Sequence, residues 1–162
     1  RLSAIKGDRR VFGAPVYNKG AAVLHMLRRL VGDDAFFSGL RRFYRDQKFT
    51  KAGTEDLRQA FEEETGKPLE RFFERWIYQS RIPRIKVTSA IADRHVTVTF
   101  SQPADAIFDV PVTVTLVYAD GRMQDVVVPV TAAHVERNIP AEGTVRAVRI
   151  NRDSAALAEF DE

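Results

Sequence analysis

Apolar residues recur three and four positions apart through the first half of this chain and every second position through the second half, so two kinds of layer are expected in series. Val23, Leu24, Leu27, Leu30 and Val31 mark one face of a first helix, which Gly32-Asp33-Asp34 should stop while capping the next. The second helix carries Phe36, Phe37, Leu40, Phe43 and Tyr44 at helical spacing, with Arg41, Arg42 and Arg45 on its other faces. That aromatic stripe is expected to be buried. Thr54 is a plausible cap for a third helix bearing Leu57, Ala60 and Phe61, closed by Gly66. Pro68 suits the first turn of a fourth, whose Leu69, Phe72, Phe73, Trp76 and Ile77 form the densest apolar stripe and which ends at Ile82-Pro83.

Beyond Pro83 the pattern becomes alternating and β-branched: Ile85 to Thr88, His95 to Phe100, Phe108 to Tyr118, Gln124 to Val130, Val135 to Ile139 and Val145 to Ile150. Asp120-Gly121 is a hairpin signal between the third and fourth of these runs. About six strands at such intervals predict an antiparallel β-sandwich. The polar, acidic tail from Ser154 to Glu162 is expected to run over the surface with partial order. The predicted class is therefore α+β, with a helical part over 1–83 and a sandwich over 84–162.

Charge divides at the same place. Residues 1–83 carry 17 basic and 11 acidic side chains, and the remainder 8 and 11, so a basic helical part precedes an acidic sandwich. With no cysteine in the chain, disulfides and thiolate metal sites are excluded. No apolar run approaches the roughly 20 residues that a membrane helix needs. The chain opens on Arg1 rather than Met and is expected to continue a longer polypeptide.

The segment Val16-Tyr17-Asn18-Lys19-Gly20 followed by Ala21 to Arg28 reads as a Tyr-x-Lys-Gly turn running into an amphipathic helix. Together with Phe36-Phe37, Phe43-Tyr44, Thr54-Glu55-Asp56-Leu57, Leu69-Glu70-Arg71-Phe72-Phe73, Trp76 and Pro83, in that order, it resembles the gluzincin-type zinc aminopeptidases, the aminopeptidase N-like family. The resemblance implies that 1–83 is the helical end of a thermolysin-like catalytic domain and that a β-sandwich packs against it. It also implies peptide substrates trimmed from the amino terminus, and zinc held in the parent enzyme by an upstream His-Glu-x-x-His helix and a later glutamate. Tyr17 takes from it the role of catalytic residue that steadies the oxyanion formed as water attacks the peptide carbonyl.

A phenol suits that task because it donates one hydrogen bond to the oxygen that turns negative. Three departures from the family pattern stand out: Asn18 occupies a position where many relatives carry an acid, Phe12 one where some carry a second tyrosine, and Arg81 one where glycine often precedes the proline. Lys19 reads as a cation at the solvent edge and Gly20 as a residue that permits close approach, and neither is nominated as catalytic. The three histidines, His25, His95 and His134, do not pair at metal-ligand spacing, so this stretch is expected to bind no metal or cofactor itself and to be inactive alone. Glu62-Glu63-Glu64 reads as a solvated face.

Two other readings come from different classes. The arginine pairs Arg28-Arg29 and Arg41-Arg42, on two helices joined by a short turn, allow a basic nucleic-acid-binding protein, ranked well below the peptidase. A noncatalytic interaction module that kept the fold without its metal centre is the third.

Overall fold

The computed structural model describes residues 14–162. Two compact units divide between Ser80 and Arg81, just before the change of pattern at Pro83. Helices fill the first and strands the second, giving the expected α+β class.

In the first unit α1 spans Ala14–Val31, α2 Asp33–Gln47 and α3 Thr54–Thr65. A short α4, Glu70–Phe73, continues without a break into a π-helical segment, Glu74–Tyr78. Helix α1 begins earlier than the motif suggests. Pro15 falls in its first turn, where an intrahelical donor is not required, so Tyr17-Asn18-Lys19-Gly20 is itself helical rather than a turn. Gly53, not Thr54, is the N-cap of α3, and the Asp56 carboxylate closes that end by accepting from the Gly53 N–H at 2.7 Å. Gly66 ends α3 as expected, at φ 63°, a left-handed conformation that costs glycine little. Pro68 lies ahead of α4 instead of inside its first turn.

The unit's core is built from Val23, Met26 and Leu27 of α1, Phe36 of α2, Ala60 and Phe61 of α3, and Leu69, Phe72, Phe73 and Trp76. Phe36 and Phe61 stack tilted at 5.4 Å between centroids, and Phe72 lies 6.4 Å from Trp76. The α2 stripe is broader than this core: Phe36 is buried, while Phe37 is 43% and Tyr44 71% exposed. Ile77 also leaves the buried face, at 38% exposure, because the wider π turn shifts the angular phase of residues after Phe73.

In the second unit two sheets pack face to face. One has the order β5-β2-β1-β7, the other β4-β3-β6, from strands β1 Arg84–Ile91, β2 His95–Ser101, β3 Val110–Tyr118, β4 Met123–Val130, β5 His134–Pro140, β6 Val145–Ile150 and β7 Glu159–Asp161. Ile85, Val87, Val96, Val98 and Phe100 of the first sheet and Val110, Val112, Val114 and Leu116 of the second are buried, as the alternation requires. Strand β3 is buried on both faces, and its two outward threonines are satisfied by carboxylates: Thr113 Oγ1 donates to Asp153 at 2.7 Å and Thr115 Oγ1 to Asp125 at 2.6 Å. Asp120-Gly121 makes the predicted hairpin, with Gly121 at φ 87°.

The tail departs from expectation. It ends in a seventh strand, β7, which pairs with β1 in parallel, Ile85 opposite Phe160, while Ala156 is buried and held through both main-chain groups by the Asn151 side chain. The other ladders are antiparallel.

Candidate functional site

Tyr17 lies in the first turns of α1, and its side chain is 67% exposed. From Tyr17 to Ala21 every residue of the helix is exposed, and from Tyr17 onward the first buried side chain is Val23. The phenol is therefore presented outward by a helix whose next turns are anchored in the core. No acidic side chain occupies the first turn of α1, the positive pole of the helix dipole.

Lys19 is not simply a solvent-edge cation. Its Nζ donates to the Gln79 carbonyl at 3.2 Å, tying the start of α1 to the end of the π segment. Gly20 has the opposite outcome: a Cβ built there would meet nothing within 4 Å, so close packing does not account for it. Asn18 is exposed. Phe12 lies outside the described residues. Nothing in the spacing of Lys19 pointed to a partner sixty positions on, and pattern reading could not have found that contact.

The π segment has a second tie. Tyr78 Oη donates to Glu55 at 2.9 Å, and Glu55 also pairs with Arg58 at 2.8 Å. The hydrogen bond from Arg58, then that from Tyr78, holds the Glu55 carboxyl below the usual carboxylate range, and the same carboxylate raises the Tyr78 phenol. Glu62, Glu63 and Glu64 form more than a solvated face. Arg42 bridges Glu63 at 2.8 Å and Glu64 at 2.6 Å, Ser38 donates to Glu64, and Glu62 accepts from the Leu69 N–H at 2.7 Å. Arg28 makes a two-pronged pair with Asp33, at 2.8 and 2.6 Å, and lies over the Phe37 ring. Of the arginines that suggested nucleic acid, Arg28 and Arg42 are thus matched locally by carboxylates.

The three histidines stay apart in the sequence of elements: His25 is exposed on α1, while His95 and His134 sit at opposite ends of the β2–β5 ladder. Among the described residues no group of three or more His, Cys, Asp or Glu could hold a metal ion, and no helix is long and apolar enough to cross a membrane. The described residues thus offer no donor set that fits a zinc ion.

Tyr17 is thus exposed on α1, and the aromatic and Trp76 landmarks follow it in order along the helical unit. Residues 4–76 match the model of the peptidase family M1 domain. Among its relatives, the chain is 35% identical over 78 residues to tricorn protease-interacting factor F2 of Thermoplasma volcanium, a match covering 48% of this chain and 10% of that protein. It is 37% identical over 70 residues to aminopeptidase N of Lactococcus lactis subsp. lactis, covering 43% and 8%. The solved structure of Legionella pneumophila aminopeptidase A in complex with aspartic acid matches its fold with a TM-score of 0.82 at 19% identity, over 98% of this chain and 19% of that one. The chain thus spans about a tenth of the length of these curated relatives.

Proposed function

We propose that this chain is the carboxy-terminal part of a zinc aminopeptidase that removes amino-terminal residues from peptides. In this reading residues 1–83 are the helical end of the catalytic domain, and 84–162 are a β-sandwich serving as scaffold. The observation that carries it is the outward placement of Tyr17 in the first turns of α1, within the stretch that matches the family.

Tyr17 is the catalytic residue this chain contributes. Its Oη donates a hydrogen bond to the carbonyl oxygen of the scissile peptide as that oxygen gains negative charge, and the amino-terminal pole of α1, whose first turn carries no acidic side chain, favours an anion. The contact strengthens only as charge develops, so it lowers the barrier more than it tightens substrate binding. The metal and the groups that hold the substrate's amino terminus belong, in this reading, to another segment of the enzyme, because the described residues offer no metal-binding set. The chain alone is therefore inactive. The nucleic-acid reading gains nothing from arginines already paired with carboxylates.

The test is hydrolysis of an aminoacyl anilide by the complete enzyme, with and without a zinc chelator, beside residues 1–162 alone. Chelator-sensitive turnover in the complete enzyme and none in the separate chain is the expected result. A complete enzyme that folds, binds no zinc and cleaves nothing would make this a noncatalytic interaction module.

A further inference from the structure

Along α1, Tyr17 through Ala21 are exposed, and from Tyr17 onward burial begins only at Val23. Helix ends fray unless something holds them. The Lys19 ammonium reaches out of this stretch to the Gln79 carbonyl at 3.2 Å. Gln79 is where the π segment ends and the chain becomes extended, at φ −106° and ψ 157°, so the ammonium meets the carbonyl end of a helix, the favourable pole for a cation. The acceptor is itself well placed. Arg75 Nη1 donates to the Gln79 side chain at 3.1 Å, and Trp76 in the same segment is 2% exposed and packs beside Phe72.

From this geometry we infer that Lys19 is a positioning residue for Tyr17, fixing the first turns of α1 against the end of the π segment so that the phenol is held where the oxyanion forms. The inference rests on the oxyanion reading of Tyr17. Residues two apart on a helix point to different faces, so Lys19 acts through the backbone and leaves the phenol's surroundings open. A misplacement of about 1 Å at a reacting group can cost about 10² in rate, which makes a single tie at this end consequential.

The experiment is a double-mutant cycle in the complete enzyme with Lys19→Met, Tyr17→Phe and the double variant, plus Lys19→Arg. Lys19→Met should lower kcat about tenfold with KM changed less than about twofold, and Lys19→Arg, which keeps a donor, should recover most of the loss. In the Tyr17→Phe background, Lys19→Met should have no further effect on kcat. Amide exchange across Tyr17 to Val23 should quicken in Lys19→Met while the buried half of α1 stays protected.

Unchanged kcat in Lys19→Met, or an equal loss in both backgrounds, overturns the positioning role while a slow Tyr17→Phe enzyme leaves the oxyanion reading standing. Normal turnover in Tyr17→Phe overturns the oxyanion reading and this inference with it. A Lys19→Met protein that did not fold would show a structural role beyond the helix end and would overturn the proposal equally.

Discussion

Gly39 and Gly20 both sit inside helices, yet they answer to different constraints. At Gly20 an added Cβ meets open space, whereas at Gly39 it would lie 2.7 and 2.8 Å from two ring carbons of Phe61, which is fully buried. Glycine at 39 is what lets α2 and α3 close over that ring. Gly39→Ala gains about 1 kcal/mol of helix propensity but, with ring carbons of Phe61 this close, loses about 2–3 kcal/mol to overpacking, so a net loss of about 1–2 kcal/mol is expected in urea unfolding. An unchanged or raised midpoint would show that the ring moves aside freely. The sequence marks Phe61 as core but gives Gly39 no distinction, because the clash depends on how two separate helices approach. Tyr17 was legible as a residue of interest from its motif, but its helical setting and the Lys19 tie were not, since neither leaves a local periodicity.

At the level of elements, the helical and alternating periods identified α1 to α3 and the first six strands, because each alternates or repeats its apolar positions, and β3, though buried on both faces, still alternates valine with threonine. What they missed depends on contacts across the fold. The exposure of Phe37 and Tyr44 follows from how much of α2 its neighbours cover, and β7 is three residues long, too short to show a period. Gln102 is a similar case. This polar side chain, 6% exposed, donates through Nε2 to the carbonyls of Phe108 at 2.9 Å and Ala132 at 3.2 Å, and accepts from the Phe108 N–H at 3.0 Å. It fastens the irregular stretch before β3 to the end of β2. Gln102→Leu keeps the volume but removes three hydrogen bonds, and should cost about 1–3 kcal/mol in thermal or urea unfolding of the sandwich. A loss well under that would mean that water replaces the amide.

The α2–α3 pairing should also be acid-sensitive. Hydrogen bonds from Ser38, then from Arg42, hold the Glu64 carboxyl below the usual carboxylate range. A carboxyl depressed in the folded state stabilises above its unfolded pKa of about 4.3, and that contribution fades as pH falls through the lower folded value. Glu64→Gln should therefore lower the unfolding midpoint at pH 7 and converge on the parent protein once the pH falls below the depressed folded pKa of Glu64. A gap that persists undiminished in acid would assign the effect to shape rather than charge.

For the whole molecule, the change from a basic helical part to an acidic sandwich at Pro83 lies beside the division between the two compact units. The match to the peptidase family M1 domain lies in the first of these. The second unit carries no converging chemical groups in its sequence pattern, and its seven strands are accounted for by core packing and satisfied polar groups. The functional claim therefore depends on one phenol set at the start of α1. Its most direct test is to compare, in the complete enzyme and its Tyr17→Phe variant, kcat, KM and the affinity for a phosphinic peptide, whose tetrahedral oxyanion imitates the transition state. Loss of Tyr17 Oη should lower kcat by about 10²–10³ and weaken the phosphinic peptide in parallel, while KM hardly moves. A Tyr17→Phe enzyme with unchanged kcat and unchanged phosphinate affinity would contradict the assignment.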